Sequence, residues 1–485
     1  YMLKKRFEAF PSFRDYLSAV AAFSASGKSA TEFDAWMASN QKIIDGGRKK
    51  QFSEFIAVCA GLFKDNTLYA SASTVWKSSN NKFTFAYDTV PKVIFERMDL
   101  KCYAKRDSAV ILGTSGVYLP TQVLWLGRGG KVTWQRAGLK PEATYAEWAG
   151  SYQVPLKSAT FEVDTVQFND PYFDRTLRGR LVDKVLAGAE EDNASYPRFE
   201  SYDRRQKVKD IVDGIDFEGG FTMKGAKLQG YGTRDEPAYL TFYRDKRPFI
   251  VTSGLVFTIE PEKISSDDVG VKIIVEKDSI FHPSVSLKFI KDKKQLTLIK
   301  KDEGLSKGPY YDTYHKLDMY FETLIWKQGD PLITFGNLQG SAQTKASFES
   351  FDYFKEKRYM GMLGIDAVHP LVRINDYVKQ SGELFSAQEF AVFTKLQKTT
   401  VIPMLIDMAN KGYLLYDPET ETVNVKPRLR DHILASAQKR DYDVLQFNSN
   451  SDDGRNALLN LLNWDLTLRG VSRIIVSDSQ DVKIY

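Results

Sequence analysis

Residues 215–298 repeatedly alternate apolar and polar side chains, and this pattern constrains the fold more than any motif in the chain. Successive side chains of a strand point to opposite faces of a sheet, so such alternation predicts strands with one buried face. The apolar members of these runs are Ile215, Phe217, Phe221, Met223, Phe249, Val251, Leu255, Phe257, Ile259, Val271, Ile273, Val275, Val285, Leu287 and Phe289. The runs are not separated by helices of about 10–15 residues, which disfavours a doubly wound α/β fold.

The sequence therefore predicts a mainly β protein with helical modules. An elongated parallel β-helix, an elongated β-jelly-roll-like sheet and a sandwich all fit the pattern. The chain lacks the fixed-length repeat of a regular solenoid, so an irregular elongated sheet is preferred over a closed barrel.

The composition limits the class of protein further. The chain has 485 residues, 43% of them hydrophobic, which is enough for about two to four domains with buried cores and excludes global disorder. The net charge is only +5, from 67 basic and 62 acidic residues. This balance gives no strong electrostatic field, so we expect no dedicated nucleic-acid binding.

Helical periodicity appears at both ends of the sheet region. Residues 1–70 are predicted to be helical, with Ser29 or Thr31 as an N-cap and a second helix over 50–64. In the C-terminal third, Ser386 and Glu389 have the spacing of a capping box. A helix over 401–411 ending at Gly412, a hairpin made by 413–416 and 422–425, and a helix over 427–436 follow. Helix, helix and hairpin in this order are typical of a winged helix.

These patterns divide the chain into five regions. They are an N-terminal helical region (1–75), a first β region (76–190), the main β-ladder region (191–345), a helical region with a winged-helix-like module (346–440), and a C-terminal region (441–485) with a short helix over 456–462 and the start of further β structure. The chain begins at Tyr1 rather than Met and ends in a strand-like run, so we expect a fragment of a longer protein.

The run from Gly127 to Lys131, Gly-Arg-Gly-Gly-Lys, resembles a phosphate-binding loop only superficially. A P-loop has four residues between its glycines, a Ser or Thr after the Lys, and a helix that follows. Here the sequence continues as a strand, so the glycines predict a tight hairpin turn.

The winged-helix-like module lacks the positive charge that a DNA-binding domain requires. Its second helix offers Lys411 beside Asp407, and its hairpin carries Asp417, Glu419 and Glu421. Because such a surface would repel phosphates, the sequence favours a structural or protein-docking role for the module.

The sequence gives no basis for a metal, cofactor or catalytic site, and we assign no residue to one. Cys59 and Cys102 fit two core thiols, although a disulfide between them is an alternative that depends on geometry. The histidines are scattered and lack the three- or four-residue spacing of metal-binding helices; they are His282, His315, His369 and His432.

The segment from Tyr310 to Trp326 is the richest in aromatic and acidic side chains. Asp318 and Glu322 would suggest a glycosidase, but on a strand they lie about 13 Å apart, at about 3.3 Å per residue. Glycosidases require about 5–9.5 Å between their carboxyl groups. A glycan-stacking aromatic surface, or a partner carboxylate elsewhere in the fold, are the alternatives.

A lysine-rich stretch precedes that segment. Lysines on exposed strands prevent edge-to-edge pairing, which is the preferred interpretation, and contact with anionic lipid or glycan is the alternative. The lysines are Lys288, Lys291, Lys293, Lys294, Lys300 and Lys301.

Three runs resemble large, mostly uncharacterised cell-envelope proteins of the Bacteroidota. They are residues 214–225 (Gly-Ile-Asp-Phe-Glu-Gly-Gly-Phe-Thr-Met-Lys-Gly), 278–283 (Asp-Ser-Ile-Phe-His-Pro) and 476–485 (Val-Ser-Asp-Ser-Gln-Asp-Val-Lys-Ile-Tyr). Residues 80–485 also resemble, in manner, the rolled sheets of periplasmic lipopolysaccharide-transport and related β-jelly-roll proteins. The resemblance implies export and a periplasmic or outer-membrane-associated location, and it carries over no functional residue.

Three functions fit these observations. The first is a non-enzymatic structural and interaction scaffold of the bacterial cell envelope, which binds other envelope proteins or lipid. The second is a carbohydrate-binding or carbohydrate-active β-protein that uses the segment from Tyr310 to Trp326. The third is a periplasmic conduit for lipid or lipopolysaccharide, in which the sheet curls into an apolar groove.

Overall fold

The computed structural model describes residues 10–104, 107–185, 194–337, 345–363, 368–418, 420–476 and 481–483. The protein is mainly β, with 48% strand and 23% helix, and it has a large antiparallel sheet with N-terminal helices. The chain forms two compact units. Unit 1 comprises residues 1–203 and 220–229, and unit 2 comprises 204–219 and 230–485.

Unit 1 begins with the helices α1 (Phe10–Ala25), α2 (Ala30–Asp45) and α3 (Lys49–Asp65). Ser29 is the N-cap of α2, and it forms a capping box with Glu32. Trp36 of α2 stacks on Phe23 and meets Phe63 edge-on, so the apolar faces of the three helices share one aromatic core. The helical start predicted for the chain is confirmed over these residues.

The strands of unit 1 form an antiparallel meander, in which most neighbours along the chain are also neighbours in the sheet. They are β1 (Thr67–Ala70), β2 (Val75–Ser78), β3 (Phe83–Tyr87), β4 (Pro91–Ala104), β5 (Asp107–Leu119), β6 (Leu124–Thr133), β7 (Tyr145–Pro155), β8 (Thr160–Asn169), β9 (Leu177–Lys184) and β10 (Arg198–Ser201).

The hairpin turn predicted at residues 127–130 is wrong. These residues lie inside β6, which pairs with β5 and β7 and shifts register between Arg128 and Gly130. The glycines are required by packing across the sheet: a Cβ on Gly127 would lie 2.3 Å from the Tyr152 ring, and one on Gly130 would lie 2.7 Å from Trp148. Close approach of aromatic rings therefore explains glycines that the sequence alone assigns to a turn.

Antiparallel pairs also join the strands of the large sheet that follow β10. They are β11 (Gln206–Val212), β12 (Ile215–Lys224), β13 (Lys227–Tyr231), β14 (Ala238–Arg244), β15 (Arg247–Gly254), β16 (Val256–Ile259), β17 (Lys263–Val275), β18 (Asp278–Ile290), β19 (Gln295–Ile299), β20 (Tyr310–Asp312), β21 (Leu317–Tyr320), β22 (Thr323–Lys327), β23 (Leu332–Gly336) and β24 (Lys345–Ser350). This pairing, such as that of β14 with β15 and of β17 with β18, is the opposite of the ladder in a parallel β-helix, so that alternative does not hold for these residues.

The alternating runs of residues 215–298 are strands, as predicted. Their apolar members are buried except Val251 and Leu255, which are half-buried. The register of β14 and β15 shifts beside Phe242, and this irregularity changes the phase, so that Ile250 and Thr252 face inward in place of Val251.

After β24 the chain builds a compact helical module with its own small sheet. Its elements are α4 (Glu356–Gly361), α5 (Pro370–Ser381), β25 (Leu384–Ser386), α6 (Ala387–Thr394), α7 (Lys398–Asn410), β26 (Leu414–Asp417), β27 (Thr422–Val425) and α8 (Pro427–Ser436). The three strands are antiparallel in the order β25-β27-β26. The capping box of Ser386 and Glu389 is confirmed at α6, and Glu419 lies outside the described residues.

Two predictions near the ends of the module are wrong. The helix predicted for 456–462 is a strand, and the change to helical structure at 346 begins only after β24. The C-terminal strands are β28 (Gln446–Asn450), β29 (Arg455–Asn460), β30 (Leu466–Leu468), β31 (Val471–Ile475) and β32 (Asp481–Lys483). Pairing of β29 with β23, and of β24 with β21 and β28, overrides the local helical pattern, because strand preference depends on neighbouring strands.

Candidate functional site

Unit 2 contains an open cleft of about 960 Å³ between the module and the strands β15–β18. We call it the module cleft. Its first wall is the outer face of the three-stranded sheet β25-β27-β26, and its second wall is formed by residues of β15, β16, β17 and β18. The cleft is large enough for a short extended peptide or a drug-sized molecule.

The module wall presents apolar side chains because its strands alternate. Leu414 and Tyr416 of β26 face the module core, and Leu415 between them faces the cleft. Leu415 is in register with Asn424 of β27, which is in register with Leu384 of β25. Leu384 is 69% exposed, an unusual state for a leucine on a strand. Two leucines, Leu384 and Leu415, with the polar Asn424 between them, thus lie open to the cleft.

The opposite wall combines apolar and acidic side chains. Val256 is 45% exposed, and Phe281 is half-buried beside it in the lining. The register of β17 with β18 shifts between Ser266 and Val269, and this bulge leaves Asp267 and Asp268 exposed. The consecutive polar residues of 265–268, which interrupt the alternation, are the sequence signal for this bulge.

The module cleft is acidic overall. Four carboxylates line it against two cationic side chains, which gives a net charge of −2 at neutral pH. The charged residues are Asp267, Asp268, Glu303, Asp417, Arg234 and Lys301. An apolar cleft with this excess attracts a ligand that is both apolar and basic.

Two ion pairs, each with a buried carboxylate, hold the module against the sheet of unit 2. Asp318 of β21 accepts a hydrogen bond from Arg428 of α8, and its side chain is 1% exposed. Glu349 of β24 accepts two hydrogen bonds from Arg358 of α4, at 2.9 and 2.8 Å. Burial raises the pKa of Asp318, and the charge of Arg428 opposes that shift. Paired carboxylate and guanidinium groups of this kind fix the register of packed elements.

Asp318 has a carboxylate neighbour, but it is not Glu322. Asp318 of β21 lies directly opposite Glu349 of β24, and side chains so paired are about 4.5–5.5 Å apart at Cβ. Both carboxyl groups are at most 2% exposed and each is bonded to an arginine. Because an arginine holds each carboxylate, we assign the pair to the packing of the module. The sequence carries no signal for Arg358 and Arg428 as their partners.

The aromatic segment from Tyr310 to Trp326 lies mostly in the core. Tyr310 is 0%, Tyr311 6% and Trp326 1% exposed. Tyr310 stacks on Phe321 with ring centroids 4.6 Å apart. These rings pack against the protein itself, so they do not offer the flat surface on which a glycan would stack.

The four histidines are each hydrogen-bonded within the protein. His282 is buried, its Nε2–H donates to the Gly308 carbonyl oxygen at 3.1 Å, and burial lowers its pKa to about 3. His315 bridges Asp312 and the Trp464 carbonyl, at 2.7 and 2.8 Å. The other two are His369, which caps α5, and His432, which meets the Tyr413 hydroxyl at 3.0 Å.

The cysteines are separate core thiols. Cys59 and Cys102 are both free and 0% exposed, as the sequence predicts. Burial raises the pKa of both thiols, to about 12 for Cys102. Among the residues that the structure describes, no group of three or more His, Cys, Asp or Glu side chains is placed to hold a metal ion.

Comparisons with known proteins add no relative. No family model matches the chain, and neither the curated proteins nor the solved structures contain a match. In the described part of the chain, none of the helices combines the length and the apolar character that crossing a membrane requires.

Proposed function

We propose that this chain is a non-enzymatic interaction scaffold of the bacterial cell envelope that binds an extended, basic and amphipathic segment of another protein in the module cleft. The observation that carries the proposal is the combination of two leucines open to the cleft, Leu384 and Leu415, with a net charge of −2 in the same cleft. Apolar side chains contribute most of the binding free energy, and complementary charge selects the partner.

The strand β26 supplies a way to hold such a segment. Within the described residues, β26 pairs with β27 and forms one edge of the small sheet. An extended peptide can add to an edge strand through main-chain hydrogen bonds, and its alternate side chains then point into the cleft. Lysines or arginines at the remaining positions would meet Asp267, Asp268 and Asp417.

The proposal includes a winged-helix-like module that docks protein rather than nucleic acid. The order of helix, strand, helix, helix and hairpin, with the sheet order β25-β27-β26, supports this assignment. The helix α7 carries one cationic side chain, Lys398, which pairs with Glu421. Lys411, the residue after α7, pairs with Asp407. With a single cationic side chain, α7 offers too little positive charge to hold a nucleic-acid backbone, which favours protein as the ligand of the module.

A lipid ligand is the weaker candidate for the module cleft. Anionic headgroups would be repelled by its four carboxylates, whereas a basic peptide is attracted. A rolled, jelly-roll-like sheet that carries lipid stays a prediction, and so does the periplasmic or outer-membrane-associated location. The location rests on the resemblance of residues 214–225, 278–283 and 476–485 to cell-envelope proteins, and fractionation of source cells with an antibody to this chain tests it.

Fluorescence anisotropy with two labelled peptides tests the binding proposal. One short peptide alternates valine and lysine, and the other alternates valine and glutamate. We expect the intact chain to bind the first and not the second. The double substitution Asp267→Asn and Asp268→Asn should weaken binding by about 2-fold to 30-fold, because each exposed ion pair contributes about 0.2–1 kcal/mol.

The matched control is Asp245→Asn, which removes an exposed carboxylate outside the cleft lining and should leave the affinity unchanged. Equal affinity for both peptides, or equal loss in the control, would rule out recognition by the acidic cleft. Binding of anionic lipid vesicles in preference to the lysine peptide would favour the conduit instead.

A further inference from the structure

A second cleft in unit 2, of about 430 Å³, has a different chemical character from the module cleft. We call it the tyrosine cleft. It is lined by residues of β21, β24 and β28 on one side and of α4, α7 and α8 on the other. Four tyrosines contribute to its lining; they are Tyr320, Tyr353, Tyr359 and Tyr413.

The tyrosine cleft is cationic. Lys355, Arg358, Lys411 and Arg428 line it, and Glu349 is the one carboxylate in the lining, so the lining has a net charge of +3. Two carboxylates outside the lining, Asp318 and Asp407, pair with Arg428 and Lys411. When they are counted as well, the net charge is still +1. The tyrosine cleft therefore has the opposite sign from the module cleft.

The field of the arginines extends across this cleft to His432. Burial, together with the positive charges of Arg428 and Arg358, lowers the pKa of His432 to about 3. The imidazole is thus neutral near neutral pH and adds no charge. Its Nδ1 lies 3.0 Å from the Tyr413 hydroxyl.

Some of the donors in the lining are already engaged, and others are available. Both terminal nitrogens of Arg358 bind Glu349, and Arg428 binds its aspartate partner. In contrast, Lys355 makes no ion pair and the Tyr320 hydroxyl makes no hydrogen bond with any residue that the structure describes. The ion pair of Lys411 with Asp407 is exposed, and a pair of this kind contributes little and exchanges readily.

These groups together fit an oxyanion. Burial raises the pKa of Tyr320 well above its usual value, so its hydroxyl stays protonated and donates. Lys355 and Lys411 supply charge-assisted hydrogen bonds, which are stronger than neutral ones. The engaged arginines fix the shape of the cleft and contribute long-range attraction.

We infer that the tyrosine cleft binds a small ligand that carries a phosphate or carboxylate group, with Lys355, Lys411 and Tyr320 as its direct donors. The half-buried ring of Tyr320 provides a wall against which the body of the ligand packs. In this proposal the oxyanion lies between Lys355 before α4, Lys411 after α7, and Tyr320 of β21. This site is separate from the module cleft, and it does not depend on the binding of a protein partner.

Isothermal titration calorimetry of the intact chain with three probes tests the inference. The probes are inorganic phosphate, glucuronate and glucose. We expect binding of phosphate or glucuronate and no binding of neutral glucose. Binding of phosphate alone identifies a phosphate-bearing ligand, and binding of glucuronate alone identifies a carboxylate-bearing one. Absence of heat with both anions would overturn the inference.

Variants locate the binding within the cleft. The double substitution Lys355→Gln and Lys411→Gln should lower the affinity for the anion about tenfold or more, since two charged donors are lost. Tyr320→Phe removes one hydroxyl and should lower it less. The matched control Lys379→Gln removes a module lysine that is 64% exposed and outside the lining, and it should leave the affinity unchanged.

An unchanged affinity in the double lysine variant would also overturn the inference, because binding would then occur elsewhere. Affinity of the same variant for the valine–lysine peptide should be that of the unmodified chain. This second measurement shows that the variant is folded, and it separates failure of the anion site from failure of the module cleft.

Discussion

Removal of Arg428 should destabilise the attachment of the module more than any surface substitution. Asp318 is 1% exposed and Arg428 is 12% exposed, so water screens their interaction weakly. Arg428→Met would leave a buried carboxylate without its cation, which costs about 3–5 kcal/mol. For a unit of this size, that loss corresponds to a fall of about 6–20 °C in the midpoint of thermal unfolding.

Differential scanning calorimetry of the intact chain measures this effect. The double substitution Asp318→Asn and Arg428→Met removes both charges, and it should recover much of the loss because no unpaired charge is then buried. The control Arg440→Met removes an arginine whose side chain is 41% exposed, and it should cost less than about 1 kcal/mol.

The reasoning would be refuted by an Arg428→Met variant that unfolds within about 2 °C of the unmodified chain, which is less than 1 kcal/mol. A double variant that is less stable than either single variant would also refute it. Either result would mean that the pair does not hold α8 against β21.

Three further predictions concern packing and titration. Gly127→Ala should destabilise unit 1 by about 1–3 kcal/mol, since the added methyl group would lie 2.3 Å from a tyrosine ring, whereas Gly150→Ala meets open space on the next strand and should cost much less in the same urea titration. In the unfolded chain His432 takes up a proton near its usual pKa of about 6.5, but in the folded protein burial, together with nearby arginines, lowers the pKa to about 3. The unfolded state therefore binds more protons as the solution is acidified, and between about pH 6 and pH 5 the free energy of unfolding should fall by about 1 kcal/mol more in the unmodified chain than in His432→Gln. Cys59 and Cys102 should not react with a thiol reagent until denaturant is added, because burial raises the pKa of both thiols; rapid labelling of the native chain would contradict their place in the core.

The strands of residues 215–298 could be predicted because each has one buried face, and that requirement leaves a period of two in the sequence. The antiparallel direction of the strands could not be predicted, because apolar and polar residues alternate in the same way in parallel and antiparallel strands. The change in which residues of β15 face the core, at Ile250, could not be predicted either, because it depends on a bulge opposite Phe242 of the neighbouring strand. The capping box of Ser386 could be predicted from the sequence, because its two residues are only three positions apart in the chain.

The predictions that failed concern residues whose partners are distant in sequence. Gly127 was assigned to a turn, but it accommodates the ring of Tyr152 on the neighbouring strand. Residues 456–462 have a helical pattern, but β29 forms because β23 offers it an edge. The module cleft and the tyrosine cleft cannot be predicted from the sequence for the same reason. Each is lined by residues that lie more than 100 positions apart along the chain.

Hydrogen exchange at β26 tests the central claim most directly. The amide protons of Leu414–Asp417 are measured in the intact chain, alone and with the valine–lysine peptide. An added strand at this edge predicts slower exchange of these amides with the lysine peptide and no change with the glutamate peptide. Unchanged exchange at β26 while the lysine peptide is bound would contradict strand addition in the module cleft.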